Sequence, residues 1–257
     1  QLIFLVIIMP IPYIYLFTKH GHTTGNLAIG LTGLINILFF SFFGLVMTLV
    51  SFGLIAVVLG GAFHEKLNSS KTLILNSFAS AVSGILVYYL SDRIGIIHQI
   101  KVVLRKVLAE NQIWKEFMPG NLPEDFAIQI ANEVPKLLPG MTVIFFLFFG
   151  YLCYLIAAAL LRWRGYKIPE TLPIKKWLFP RWIIILYVIL EIMPKDMISI
   201  NLILVLSFIL SVEGVAVAVH YGDKFGIYSW IRNGLIAIGI IFFGFVFFII
   251  GVIDNIF

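Results

Sequence analysis

Charge is what this sequence has least of. Asp, Glu, Lys and Arg make up 12% of its 257 residues and 61% are apolar, against about 25% charge in soluble globular chains. That shortage excludes an ordinary water-soluble domain. Cysteine is reduced to Cys153, inside an uncharged run, so there is no disulfide framework and no cysteine-based metal site. H-E-x-x-H, G-x-S-x-G, a Walker sequence and a Cys-His pair are all missing; nothing points to an enzyme, and no cofactor is expected. The apolar runs lack period-two alternation, which argues against a transmembrane β-barrel. Neither Met nor a basic n-region opens the chain at Gln1, so no cleavable signal is visible, and we expect further residues, up to a whole span, ahead of it.

What is present is a series of long apolar runs: 2–17, 27–63, 73–90, 139–161, 178–193, 197–219 and 234–252. About 20 apolar residues at 1.5 Å each cross the hydrocarbon of a bilayer, so these runs read as spans. The run 27–63 would be about 55 Å long as one helix, so it is read as two spans joined by a turn near Phe40 to Gly44. The first run is short and carries Pro10 and Pro12, as a kinked helix would. The fold class expected is all-α: a polytopic transmembrane helical bundle of about eight spans, forming a single domain over 1–257.

One long segment, 91–138, breaks the pattern and is expected to be an extramembrane, interfacial helical insertion. Ile96, Ile97, Ile100, Val103, Leu104, Val107 and Leu108 recur at helical spacing, with Lys101, Arg105 and Lys106 at other positions. That is an amphipathic helix lying along the membrane surface. A second short helix is expected from Pro123 to Glu133, stopped by Pro135, with Pro139-Gly140 opening the next span. Together these would cover the outer face of the bundle.

Lys and Arg stay on the cytoplasmic side of the spans they flank. The linker 162–182, RWRGYKIPETLPIKKWLFPRW, holds six of the eighteen: Arg162, Arg164, Lys167, Lys175, Lys176 and Arg181. With alternating spans, the face carrying this linker has eleven positive residues and the other face seven, six of them in 91–138. The linker is therefore placed in the cytoplasm and 91–138 outside, in the inner membrane of a cell. Topology explains the net charge of +5, so nucleic acid is not expected as a partner; the lipid bilayer is.

Polar residues at membrane depth are the candidate contacts for a ligand. Glu213, inside 197–219, is the sharpest, since a carboxylate at a helix centre costs about 2.5–3.5 kcal/mol on insertion scales. It reads either as a ligand or proton site or as a carboxyl bonded to a neighbouring helix. Asn201 shares its helix, with Ser207 and Ser211 within an arc of about 120°, whereas Glu213 lies about 200° on from Ser211. Asn36 is the strongly polar residue of 27–63. Glu191, before Pro194, is expected to be water-exposed or paired with Lys195 rather than to form a site. His20 and His22 lie about 200° apart on a helix and would share no metal there.

Three motifs carry a resemblance to a family. They are the Arg-rich helix end running through Ile168-Pro169 to Trp177-x-x-Pro180, the Glu213-Gly214 step following Asn201, and Gly251-x-x-Asp254. The C-terminal half thereby resembles the YybS-like family of uncharacterised bacterial multi-pass membrane proteins. Glu213 stands where that family has Gln, which implies a neutral, hydrogen-bonding role. The family is in turn remotely similar to the substrate-binding (S) components of energy-coupling-factor transporters and to the rod-shape protein MreD. The first relation implies a bundle that binds or transports a small molecule without its own ATPase. The alternative is a membrane scaffold for envelope or cell-shape machinery, acting on a membrane protein partner through the basic linker.

Overall fold

The computed structural model describes residues 8–110, 124–177 and 179–256. Its regular structure is helical, with no strand among the described residues: α1 (Pro10–Thr48), a π-helical turn (Leu49–Gly53), α2 (Leu54–His64), α3 (Ser69–Arg93), α4 (Ile96–Glu110), α5 (Glu124–Trp163), a 3₁₀ turn (Ile174–Lys176), α6 (Trp182–Ile192), α7 (Met197–Lys224) and α8 (Ser229–Ile256). The chain gathers into two compact units, Gln1–Pro169 and Glu170–Phe257.

In the first unit α1 doubles back twice. Tyr13 and Thr32 would be about 28 Å apart on a straight helix, yet the Tyr13 hydroxyl donates to Thr32 Oγ1 at 2.9 Å. Gly21, at φ +78, supplies the first reversal, in the left-handed region that a residue without a Cβ enters freely. Asn36 Nδ2 donates to Thr48 Oγ1 at 2.6 Å, so the second reversal lies between those residues and includes the turn expected near Phe40 to Gly44. The core of this unit packs Ile14 and Phe17 with Ile55, Leu59, Phe149, Cys153, Tyr154 and Leu161.

Helices α3 and α5 meet along small residues. A Cβ at Gly84 would stand 2.8 Å from Val143 Cα, and one at Gly150 would stand 2.0 Å from Ser80 Oγ. The small side chains expected to pack a helix pair in lipid do so here. Asn68 caps α3, its side chain accepting from Lys71 N–H at 2.9 Å.

Four described helices are long and apolar enough to cross a membrane, namely Phe42–His64, Ser69–Arg93, Gln129–Trp163 and Met197–Lys224. A fifth counts if Ser229–Ile240 and Phe242–Ile256, bent by 102° from one another, form one span. This falls short of about eight for physical reasons. The stretch 10–48 is cut by its reversals, and α6 is eleven residues, about 16 Å long. Helix α5 corrects the sequence reading at Pro135 and Pro139, since it runs through both. Each proline removes one N–H, which a membrane helix tolerates when neighbours satisfy the freed carbonyl. Pro123, the expected start of a short helix, and Leu178, the expected start of a span, lie outside the described residues, as does the first part of 2–17.

Candidate functional site

The site is built within the second unit, on α7, α8 and the segment before α6. Asp196 starts α7 by accepting from Ser199 N–H at 2.7 Å. Two hydrogen bonds beside Gly226, at φ +68, end the helix: Gly226 N–H to Asp223 O and Ile227 N–H to Gly222 O. The chain then returns as α8 and crosses α7 at two glycines. A Cβ on Gly214 would lie 1.8 Å from Phe247 O, and one on Gly251 would lie 1.9 Å from Leu210 O. Only two residues without side chains allow backbones this close.

That crossing sets what stands beside it. Glu213 precedes Gly214, and Asn255 lies one turn beyond Gly251. Both are buried, at 2% and 3% exposure. Asn255 Nδ2 donates to Glu213 Oε2 at 3.1 Å and Oε1 at 3.3 Å. Between them runs the backbone of Phe179. Its N–H donates to Glu213 Oε1 at 3.3 Å, and its carbonyl accepts from Asn255 Nδ2 at 3.3 Å. The acid and the amide thus satisfy both backbone groups of one linker residue. None of the described ion pairs includes Glu213, and Asn255 Oδ1 has no hydrogen-bond partner among the described residues.

A second pin lies along the same helix. Lys175 Nζ meets Asp223 Oδ2 at 2.7 Å, and Arg232 from α8 reaches the other oxygen of Asp223. Residues 213 and 223 are about 15 Å apart on α7, and the two ties to them come from Phe179 and Lys175. Lys175 and Phe179 thus hold their part of the linker against α7 as a strap, by an ion pair at one end and by the Glu213–Asn255 clamp at the other.

The other residues singled out in the sequence go elsewhere. Asn201 Nδ2 donates to Met197 O at 2.6 Å in its own helix, and Ser207 and Ser211 likewise bond carbonyls one turn back. Asn201 is about 18 Å along α7 from Glu213, and Asn36 is held by Thr48 in the first unit; neither joins the clamp. Glu191 pairs with Lys195, as expected, and accepts from the Tyr187 hydroxyl at 3.1 Å. Of the six linker cations, Lys175 is on Asp223, Arg162 donates to Pro169 O at 3.3 Å, and Arg164 lies over the Trp163 ring. His22 faces Glu65 at 3.8 Å and the ring of His64. Among the described residues no group of three or more His, Cys, Asp or Glu is placed to hold a metal ion.

The residue the sequence missed is Asn255. Its signal was available: counting one turn on from Gly251 lands on Asn255, whereas the motif as read stops at the exposed Asp254. All three motifs of the C-terminal half, the linker, Glu213-Gly214 and the Gly251 turn, converge on this one place. The family model described as Predicted membrane protein (DUF2232) matches residues 2–255. The chain belongs to that family. No curated protein and no solved structure matches it. Family membership makes this a predicted membrane protein in contact with the lipid bilayer.

Proposed function

We propose that the protein binds or transports a small molecule in the membrane, without an ATPase of its own, and that Glu213 and Asn255 supply the polar contacts. One observation carries this reading. A carboxyl group 2% exposed, more than two turns from either end of an apolar helix, meets neutral donors, beside an amide oxygen with no partner. Ionisable side chains at membrane depth mark ligand and ion pathways by default. The reading requires neither catalysis nor a cofactor. A thermal-shift screen of the full chain in detergent against vitamins, cofactors and metabolites tests it. The expected result is a ligand that stabilises the wild type and loses its effect in Glu213→Gln or Asn255→Ala. A screen in which nothing stabilises the wild type overturns the reading.

The second reading is a membrane scaffold for envelope or cell-shape machinery. It is favoured by the described grooves, of about 240 and 300 Å³, which are open, mainly apolar and distant in sequence from Glu213. It is favoured too by the exposed Lys167 and Lys176, which a membrane protein partner could engage. Crosslinking in native membranes separates the two readings: a scaffold gives one reproducible partner that is lost in Lys167→Gln/Lys176→Gln. Both readings place the linker in the cytoplasm of the inner membrane. A Lys176→Cys thiol should therefore react with an impermeant maleimide only in inverted vesicles; labelling of intact cells reverses the orientation.

A further inference from the structure

Helix α4 leaves an apolar stripe uncovered. At 100° per residue, Ile96, Ile100, Val103 and Val107 fall within an arc of about 60°, and all four are exposed, Val103 at 59% and Val107 at 50%. The side that meets the rest of its unit is a different one. Ile97, 7% exposed, and Leu104 lie about 90° around the helix from the stripe. Among the described side chains the remaining arc holds His98, Gln99, Val102 and Lys106, with Lys101 at its other edge. Helix α4 contains Lys101, Arg105 and Lys106 and one acid, Glu110, at its last position.

The position of the helix says what covers the stripe. Helix α3 is long and apolar enough to cross a membrane and ends at Arg93. The backbone turns at Gly95, φ +80, and α4 starts at once, so it starts at the level where a span leaves the hydrocarbon. A helix there, with one face apolar and three cations against one acid, lies in the headgroup region and attracts anionic lipid.

We propose that α4 is a lipid-recognition helix: Ile96, Ile100, Val103 and Val107 seat in the acyl boundary, while Lys101 and Lys106 hold the headgroups of anionic phospholipid. This surface is separate from the Glu213–Asn255 clamp and does not depend on the function assigned to it.

The test uses the full chain reconstituted into vesicles of an equimolar phosphatidylcholine and phosphatidylglycerol mixture. The lipid that stays with the protein after mild detergent extraction is quantified by mass spectrometry. Phosphatidylglycerol should be enriched in the wild type. The enrichment should fall on the order of fivefold for each cation removed near the surface, reaching parity in Lys101→Gln/Arg105→Gln/Lys106→Gln. Equal retention of both lipids by the wild type overturns the proposal, as does undiminished enrichment in the triple variant. Should that variant fail to fold, the wild type in molar salt serves instead, because screening removes a headgroup preference and leaves a packing preference intact. A spin label at Val103→Cys, with Cys153 replaced by Ser, reads the stripe itself. Oxygen should reach it more readily than a water-soluble nickel chelate, and the opposite order places the stripe in water and sinks the proposal.

Discussion

At Glu213 a side chain does what a neighbouring strand would do elsewhere: with Asn255 it gives the Phe179 backbone a hydrogen-bond partner for each of its polar groups. Removing the acid orphans the half-buried Phe179 N–H and leaves the buried Asn255 amide with the Phe179 carbonyl alone. Glu213→Ala is therefore expected to lower stability by about 1–3 kcal/mol, whereas Glu213→Gln keeps an acceptor and should lose less. Unfolding in detergent, followed by circular dichroism, checks the order; equal stability of wild type and Glu213→Ala would mean the clamp carries no weight. The glycines beside it are bound more tightly still. A methyl group at position 251 meets backbone, the Leu210 carbonyl, and backbone does not rotate away. Gly251→Ala should force α7 and α8 apart at about 1–3 kcal/mol or more, readable as faster amide exchange at both crossings. The sequence showed Glu213 and both glycines as unusual; it did not pair them, because pairing depends on which turns of two helices cross.

Among the elements, the ends of α3 and α7 are set by single side chains. Asn68→Ala should cost about 1 kcal/mol, seen as a lower melting temperature with α3 amides exchanging first. Asp196 gives a pH signature. Its hydrogen bonds with Ser199, side chain first and backbone next, hold its carboxyl below the usual carboxylate range. A depressed folded pKa contributes stability above the unfolded value, about 3.9, and that contribution is lost as pH falls through the lower folded value. The stability gap between wild type and Asp196→Asn should hold from neutrality down to about pH 5 and close below about pH 4; a gap unchanged at acid pH removes the ionised cap. Helix types and most apolar runs could be read from composition and period, and α4 from its spacing alone. The prolines of α5 misled, because Pro135 and Pro139 read as helix breaks by soluble rules, and a membrane helix carries them inside.

On the scale of the molecule, the basic linker changes meaning part-way along. Arg162 to Pro169 closes the first unit, while Lys175 and Phe179 tie the strap to α7 in the second. Releasing one end of the strap should expose it. Trypsin cleavage at Lys175, Lys176 and Arg181 is expected to quicken in Glu213→Ala and in Asp223→Asn relative to wild type, by gel and mass spectrometry. Unchanged cleavage would mean that neither tie holds the segment down. The family and the helical class were legible because motifs and hydropathy are local. The reversals of α1 and the number of crossings were not, since they depend on contacts such as Tyr13 to Thr32 that no local pattern encodes.

The clamp also sets an order of events during synthesis. Asn255 comes 42 residues after Glu213 and 76 after Phe179. At about 5–20 residues per second, the ribosome needs roughly 4–15 s to go from Phe179 to Asn255. For the last 42 residues of that interval the carboxyl of Glu213 has been made and its amide partner has not. The second unit therefore passes through a stage in which an acid-bearing helix must be held at the insertion machinery, and that stage ends only when the last turn of α8 arrives.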